Sequence, residues 1–256
     1  VIVCVPGSNG IKAIASALQH GKKVINANKE AIYIAGNILK ELQKKYNGTI
    51  LPLDGEHIAI MQCLLGEDIK TVDKLLITAS GGALRDYQSK SALDSLRAEN
   101  VLKHPSWNMG NKITVDCATL INKAMEVVVA HWMYDIPYNQ IDVLIHRESI
   151  VHSLVSFFDK SMKAQLAIRD MRVAAAYILN YPTRIPNQYG ELDLLLENEL
   201  HFEKMKRDMF PCFDLAIHAA EKGRGYPIVV NAANEIAIEL FLKDKITFGE
   251  VEKIIT

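Results

Sequence analysis

Asp54 and Glu56 stand two residues apart in Asp54-Gly55-Glu56-His57, directly after the apolar run Thr49 to Leu53. In an extended or turn segment this spacing sends both carboxylates toward one side. Carboxylates that close repel unless a positive group lies between them, and a divalent cation with oxygen ligands is the usual one. Acidic residues after a strand also serve as helix N-caps, so the pair alone leaves both readings open. Glu126 could add a third carboxylate from the polar face of a helix that also carries Asn122 and Lys123. The same spacing suits a solvated residue pairing with either neighbour.

Ser80-Gly81-Gly82 follows a second apolar run and offers consecutive backbone N–H groups and a hydroxyl. It reads as a tight turn or, with Asn122, Lys123 and His152, as an anion site. His104, His146 and His152 are candidates for proton transfer or anion contacts, or are satisfied structural residues. Trp107 and Met109 lie in an aperiodic stretch and could cover a ligand or anchor the loop to the core. Cys4, Cys63, Cys117 and Cys212 show no CxxC or Cys/His metal spacing and read as buried thiols in a reducing compartment.

The elements that must position these residues begin with alternating β and α. Val1 to Val5 reads as a strand, Ile11 to Leu18 as a helix, Lys23 to Asn26 as a strand, Glu30 to Tyr46 as a helix and Thr49 to Leu53 as a strand. A helix from Ile58 to Leu65 and a strand from Lys74 to Thr78 follow. One helix is expected over Ala118 to Met133, with Ile121, Met125, Val128 and Trp132 as its buried stripe. Asp142 to Ile145, Ile150 to Phe158 and Ala164 to Ile168 read as strands of a second sheet. Pro182 to Leu200 reads as an irregular connection, with helices near Phe213 to Lys222 and Val230 to Leu242.

With 256 residues, 49% of them hydrophobic, the chain can bury a proper core. Its 29 Lys plus Arg against 30 Asp plus Glu give a net charge of -1, which argues against general nucleic-acid binding. Lys44-Lys45 and the basic residues from Lys204 to Arg207 read as solvated faces. No apolar run approaches the roughly 20 residues of a membrane-spanning helix. A soluble protein is therefore expected, with no membrane and no nucleic acid among its partners. Residue 1 is not Met, and Val-Ile-Val-Cys-Val reads as mid-strand, so the chain is expected to be a piece of a longer protein.

In order along the chain, Asn28-Lys29-Glu30, Leu51-Pro-Leu-Asp-Gly-Glu-His57, Thr78-Ala-Ser-Gly-Gly82 and His104-Pro-Ser-Trp-Asn-Met-Gly110 resemble the 1-deoxy-D-xylulose 5-phosphate reductoisomerase family. Val115-Asp-Cys-Ala-Thr119, Asn122-Lys123, Glu126, Ile150-Val-His-Ser153, Asp170-Met-Arg172 and Asn231-Ala-Ala-Asn-Glu235 extend the resemblance over most of the chain.

The resemblance implies an α/β fold. Residues 1–53 would be the second half of a Rossmann-like dinucleotide-binding domain. Residues 54–205 would be a central catalytic α/β domain with a lid at about 97–112, and 206–256 the start of a helical domain. It implies NADPH-dependent isomerisation and reduction of 1-deoxy-D-xylulose 5-phosphate to 2-C-methyl-D-erythritol 4-phosphate, in a homodimer. A bacterial cytoplasmic setting is expected, a plastid-type organelle being the other option.

The site residues follow from the same resemblance. Asp54, Glu56 and Glu126 would hold Mg2+ or Mn2+. Lys29, Glu56 and His104 would be catalytic. Gly55, Ser80, Trp107, Cys117, Asn122, Lys123 and His152 would meet the phosphorylated substrate, and Asn28, Glu30, Met109 and Met171 the cofactor.

The family normally has serine at the positions of Gly55 and Cys117, so weakened substrate binding is expected. The rival readings are a silent paralogue that binds metal or a phosphometabolite, and another NADPH oxidoreductase acting on a phosphorylated sugar. Pro6-Gly7-Ser8-Asn9-Gly10 lacks the glycine spacing of a pyrophosphate turn, so the isolated chain is expected to bind NADPH poorly and not to turn over.

Overall fold

The computed structural model describes residues 1–103 and 109–256. It opens with β1 (Ile2–Val3), α1 (Gly10–Gln19), β2 (Lys23–Asn26), α2 (Lys29–Tyr46) and β3 (Thr49–Pro52). The three strands pair in parallel in the order β1-β2-β3, as the alternating pattern predicts. Ile14, Leu18 and Val24 are fully buried under Ile32 and Leu39 of α2.

Asn28 joins this unit at its centre. Its Oδ1 accepts from the Ala31 N–H at 2.7 Å, capping α2, while its Nδ2 donates to the carbonyls of Gly7, at 2.7 Å, and Val5. One side chain therefore starts a helix and holds the turn after β1; such a cap contributes about 1 kcal/mol. Further along, α2 leaves helical geometry at Ala35, and a Cβ on the adjacent Gly36 would stand 2.3 Å from the Trp132 ring. Only glycine lets that ring sit so close to the backbone.

The chain continues through α3 (Gly55–Leu64), β4 (Val72–Ala79), the short α4 (Ser91–Asp94) and α5 (Ala98–Val101), α6 (Asn111–Ala118) and α7 (Ile121–Tyr134). Then come β5 (Ile141–Ile145), β6 (Val151–Phe157), β7 (Met162–Leu166), α8 (Met171–Asn180), β8 (Glu203–Lys204), α9 (Pro211–Lys222), α10 (Tyr226–Leu242) and α11 (Phe248–Ile255). The second sheet runs β7-β6-β4-β5-β8; β4 and β5 pair in parallel and the other neighbours antiparallel. Residues of α7, α9, α10 and α11 share one apolar core with this sheet.

The helix expected from Ala118 to Met133 is α7, starting three residues later at Ile121, while Ala118 ends a separate, unexpected helix, α6. Leu120 between them adopts φ 59, a left-handed conformation that costs a leucine about 1 kcal/mol or more. Its 3% exposure supplies the offsetting burial. The strand expected at Ala164 to Ile168 begins earlier, as β7, and α4, α8 and α11 were not expected. Within the stretch read as a covering loop, α5 and the start of α6 are helical; residues 104–108 of that stretch lie outside the described residues. Cys63 and Cys212 are buried thiols as expected, but Cys4 is exposed and Cys117 half-buried.

His146 is structural. Its Nδ1 lies 2.8 Å from the His201 carbonyl, and its Nε2 accepts from the N–H groups of Ile150 and Val151 at 3.2 and 3.1 Å. It is fully buried, with its ring stacked on Phe202.

Candidate active site

Every residue of α7 from Ile121 to Ala130 is buried. A helix enclosed on all sides should be apolar throughout, yet this one carries Asn122, Lys123 and Glu126, exposed by only 7%, 5% and 1%. The solvated reading of Glu126 is thereby excluded. Buried polar groups of this kind require partners, and those partners come from the starts of α2 and α3.

Asp54 caps α3 and does more. Its Oδ1 accepts from the His57 N–H at 3.4 Å and lies 2.9 Å from His57 Nδ1, while Oδ2 lies 2.9 Å from Lys29 Nζ. The capping and ligand readings of Asp54 are compatible, because a carboxylate has two oxygens and capping uses one of them. Together Asp54, Glu56 and Glu126 offer one ligand atom each, all within 4.8 Å of one another.

Two ammonium groups thread this trio. Lys29 Nζ meets Glu126 Oε1 at 2.8 Å and Asn122 Oδ1 at 2.8 Å as well as Asp54. Lys123 Nζ lies 2.7 Å from Glu56 Oε1 and 2.5 Å from Glu126 Oε2. Asn122 also donates to Glu126 Oε1 at 2.7 Å. Glu126 Oε2 is buried, with the Lys123 ammonium as its neighbour. An all-oxygen set of three converging carboxylates suits a hard divalent cation.

The charges divide the trio. Burial opposes ionisation of Asp54 and Glu126, but Lys29 outweighs it for Asp54, and Lys123 and Lys29 outweigh it for Glu126; both carboxyls fall below the usual range. Glu56 goes the other way, pushed up to about 7 by burial and by the neighbouring Glu126 charge. Burial opposes charge on Lys29 and Lys123 too, yet the surrounding carboxylates raise both above the ordinary lysine value.

These groups line a cavity of 310 Å3 with Ser80, Gly81, Gly82, Cys117, His152 and Ser149, a size that suits a small ligand. Gly81 and Gly82 have φ 86 and 69, and a Cβ on Gly82 would stand 2.7 Å from the Cys117 carbonyl. The glycine turn thus packs directly against the end of α6, with the Ser80 backbone carbonyl accepting from the Arg85 guanidinium at 3.0 Å. Burial holds the His152 imidazole below its usual range, and pushes the Cys117 thiol up to about 12, so it stays protonated.

Of the residues singled out in the sequence, Lys29, Asp54, Gly55, Glu56, Ser80, Met109, Cys117, Asn122, Lys123, Glu126, His152 and Met171 all line this cavity. Asn28 and Glu30 stand outside its lining: Asn28 holds the first turn, and Glu30 faces Lys112 Nζ at 3.5 Å. His104 and Trp107 lie outside the described residues.

Residues 50–134 match the domain family described as 1-deoxy-D-xylulose 5-phosphate reductoisomerase C-terminal domain, and residues 166–256 match the DXP reductoisomerase C-terminal domain. The 1-deoxy-D-xylulose 5-phosphate reductoisomerase of Bacillus pumilus is 46% identical over 256 residues, all of this chain and 67% of that protein. The chain belongs to the 1-deoxy-D-xylulose 5-phosphate reductoisomerase family. Reductoisomerase 1 of Bacillus thuringiensis subsp. konkukian is 49% identical over the whole chain, which spans 66% of that relative's length. Among solved structures, the Zymomonas mobilis reductoisomerase in complex with NADPH superposes with a TM-score of 0.92 at 35% identity, covering 99% of this chain and 65% of that one. A reductoisomerase in complex with NADPH, fosmidomycin and magnesium gives 0.93 at 38% identity, covering 100% and 65%.

Two residues of the site escaped the sequence reading. His57 bridges Asp54 and Glu126, with Nδ1 on the Asp54 carboxylate and Nε2 2.9 Å from the Glu126 backbone carbonyl. Burial opposes its protonation, but Asp54 raises its pKa. With acceptors at both nitrogens, the ring is best satisfied as an imidazolium. Its place three residues after Asp54, on the same face of α3, was the available signal. Ser149 lines the cavity at φ 52; nothing in its sequence context marks a left-handed serine.

Proposed function

We propose that this chain carries the metal- and substrate-binding site of an enzyme that converts 1-deoxy-D-xylulose 5-phosphate to 2-C-methyl-D-erythritol 4-phosphate with NADPH. The carrying observation is the carboxylate trio at the floor of a cavity that also holds Lys123 and the Ser80-Gly81-Gly82 turn. Relatives whose structures contain NADPH, fosmidomycin and magnesium support the reading.

Asp54, Glu56 and Glu126 would hold Mg2+ or Mn2+, which when bound supplies Lewis-acid stabilisation of negative charge developing on substrate oxygens. Ser80, Asn122, Lys123 and, in place of the usual serine, Cys117 would receive the phosphate. Anchoring that remote end orients the reacting carbons. Lys29 would stand against the substrate's oxygens from the cofactor side, and His57 keeps Asp54 in its ligating rotamer. His104 and Trp107, which the resemblance gives as catalytic and substrate-binding, lie outside the described residues. Reduction consumes one NADPH and one proton.

For NADPH the fit of this chain is partial. Met109 and Met171 present apolar thioether faces to the cavity, as a nicotinamide ring requires. At Pro6 to Gly10, however, Glu235 closes the turn: its Oε1 stands 2.9 Å from where a Cβ on Gly7 would lie. A carboxylate there opposes a pyrophosphate. Residues 1–53 are therefore read as contributing the nicotinamide side of a dinucleotide domain, 54–205 as the catalytic domain, and 206–256 as part of a helical domain. A homodimer in a bacterial cytoplasm completes the reading. Among the described residues, no helix is long and apolar enough to cross a membrane.

The test supplies a complete protein that contains this chain with 1-deoxy-D-xylulose 5-phosphate, NADPH and Mn2+ and identifies the product. Substrate-dependent NADPH oxidation yielding 2-C-methyl-D-erythritol 4-phosphate is expected; a different polyol phosphate would favour another sugar-phosphate reductase. Mn2+ binding without turnover would favour the silent paralogue suggested by Gly55 and Cys117.

A further inference from the structure

Helix α6 has two working stripes. Ile113 and Cys117, continuing Met109 just before the helix, fall at four-residue spacing and line the cavity. Lys112 and Asp116, each one residue earlier, make the next stripe and point into a partly buried ionic network. Lys112 Nζ lies 2.7 Å from Asp116 Oδ2 and 3.5 Å from Glu30 Oε1 of α2, and Asn234 of α10 donates to Asp116 Oδ1 at 2.8 Å. Asp116 is 5% exposed and Asn234 fully buried. Successive helical residues point about 100° apart, so whatever fixes the second stripe also fixes where the first one faces.

The end of α6 has little freedom. The Cys117 carbonyl abuts Gly82, and Thr119 Oγ1 donates to the Asp116 carbonyl at 3.2 Å before Leu120 breaks the helix. A small rotation of α6 would therefore both turn the Cys117 side chain and push on the glycine turn.

We propose that Asp116 is a positioning residue, which by joining Lys112, and through it Glu30, to Asn234 sets the rotation of α6 and so shapes the oxyanion cradle formed by Cys117 and the Ser80-Gly81-Gly82 turn. The inference rests on reading that cradle as the phosphate site. It assigns no contact between Asp116 and any ligand. The proposed metal ligands lie on α3, at its N-cap and on α7, and none of them pairs with Lys112, Asp116 or Asn234 in the contacts above.

The test titrates inorganic phosphate and, separately, Mg2+ into the protein and into its Asp116→Asn, Lys112→Met and doubly substituted forms. Asp116→Asn keeps the volume and an acceptor for Asn234 but turns an amide donor toward Lys112. Lys112→Met acts on a side chain that is 33% exposed, so it carries the test should the buried substitution fail to fold. Phosphate binding is expected to weaken about tenfold in each single form, as for loss of a charged hydrogen bond. It should weaken no further in the double form, because the two residues act as one unit. Mg2+ affinity should stay within about twofold, which a merely structural loosening would not spare. Unchanged phosphate affinity in both single forms, or parallel loss of phosphate and Mg2+, would overturn the proposal. Failure of the unsubstituted protein to bind phosphate would instead overturn the cradle itself, and this inference with it.

Discussion

Lys29 Nζ lies 2.8 Å from Glu126 Oε1 and, on its other side, 2.9 Å from Asp54 Oδ2, so an ammonium group occupies the space between two proposed metal ligands. The protein's own ammonium groups offset the charge of these carboxylates.

Metal binding must displace or share these contacts. Lys29→Met is expected to tighten Mn2+ binding about fivefold, since a competing cation worth roughly 1 kcal/mol is gone. The metal-free form should melt lower, because Asp54 and Glu126 lose a partner. Glu126→Gln should lose Mn2+ binding in the same titration. Weaker Mn2+ binding in Lys29→Met would show that the ammonium supports the metal instead of competing with it.

Glu56 gives the site a pH dependence. Its carboxyl is pushed up to about 7, so the folded chain holds a proton there that an unfolded chain releases near pH 4.5. A raised folded pKa contributes stability below the unfolded value that is lost as pH rises through the folded one. The metal-free protein should thus lose stability between about pH 4.5 and 7 from this group, and Mn2+ affinity should climb over the same range and level off above it. Isothermal titration at pH 6 and 8 reads the effect; equal affinities would show that Glu56 is already ionised at pH 6.

His57→Phe removes the bridge between Asp54 and the Glu126 carbonyl while keeping a ring. Outer-shell partners of metal ligands typically matter about 10- to 100-fold in affinity, and Mn2+ binding should fall into that range with secondary structure retained by circular dichroism.

Two serine substitutions should strengthen the substrate site. A Cβ on Gly55 would stand 3.7 Å from Met171 Sδ, an ordinary contact, so Gly55→Ser fits without displacing a neighbour. Cys117→Ser exchanges a weak thiol donor for a hydroxyl. A hydrogen bond to a charged group contributes about 1.5 to 3 kcal/mol, so kcat/KM of the complete protein for 1-deoxy-D-xylulose 5-phosphate should rise about tenfold or more in either variant. No gain in either would mean that the glycine and the thiol are not deficits.

The β-α-β-α-β opening was legible because each element carries its own periodicity and its own stop, as at Gly21 and Asn47-Gly48. The Asp54 and Glu56 pair was legible because its spacing is local. Glu126 was harder: its approach depends on α7 crossing the starts of α2 and α3, and no spacing in the chain encodes a crossing. The α6–α7 break was hidden for a related reason, since Leu120 takes a left-handed conformation that leucine avoids unless packing around it compensates. By contrast α11 was missed although a local signal existed, the capping box of Thr247 and Glu250 that the structure shows intact. Asp170, whose carboxylate accepts from the Arg172 N–H at 2.8 Å, was a comparable signal for α8.

Gly36 and Trp132 hold one further consequence. A tryptophan seated on bare backbone, beside the kink at Ala35, makes the junction of α2 and α7 a joint without play. Lys29 leads one of these helices and Glu126 rides the other, so the spacing between ammonium and carboxylate is inherited from the frame.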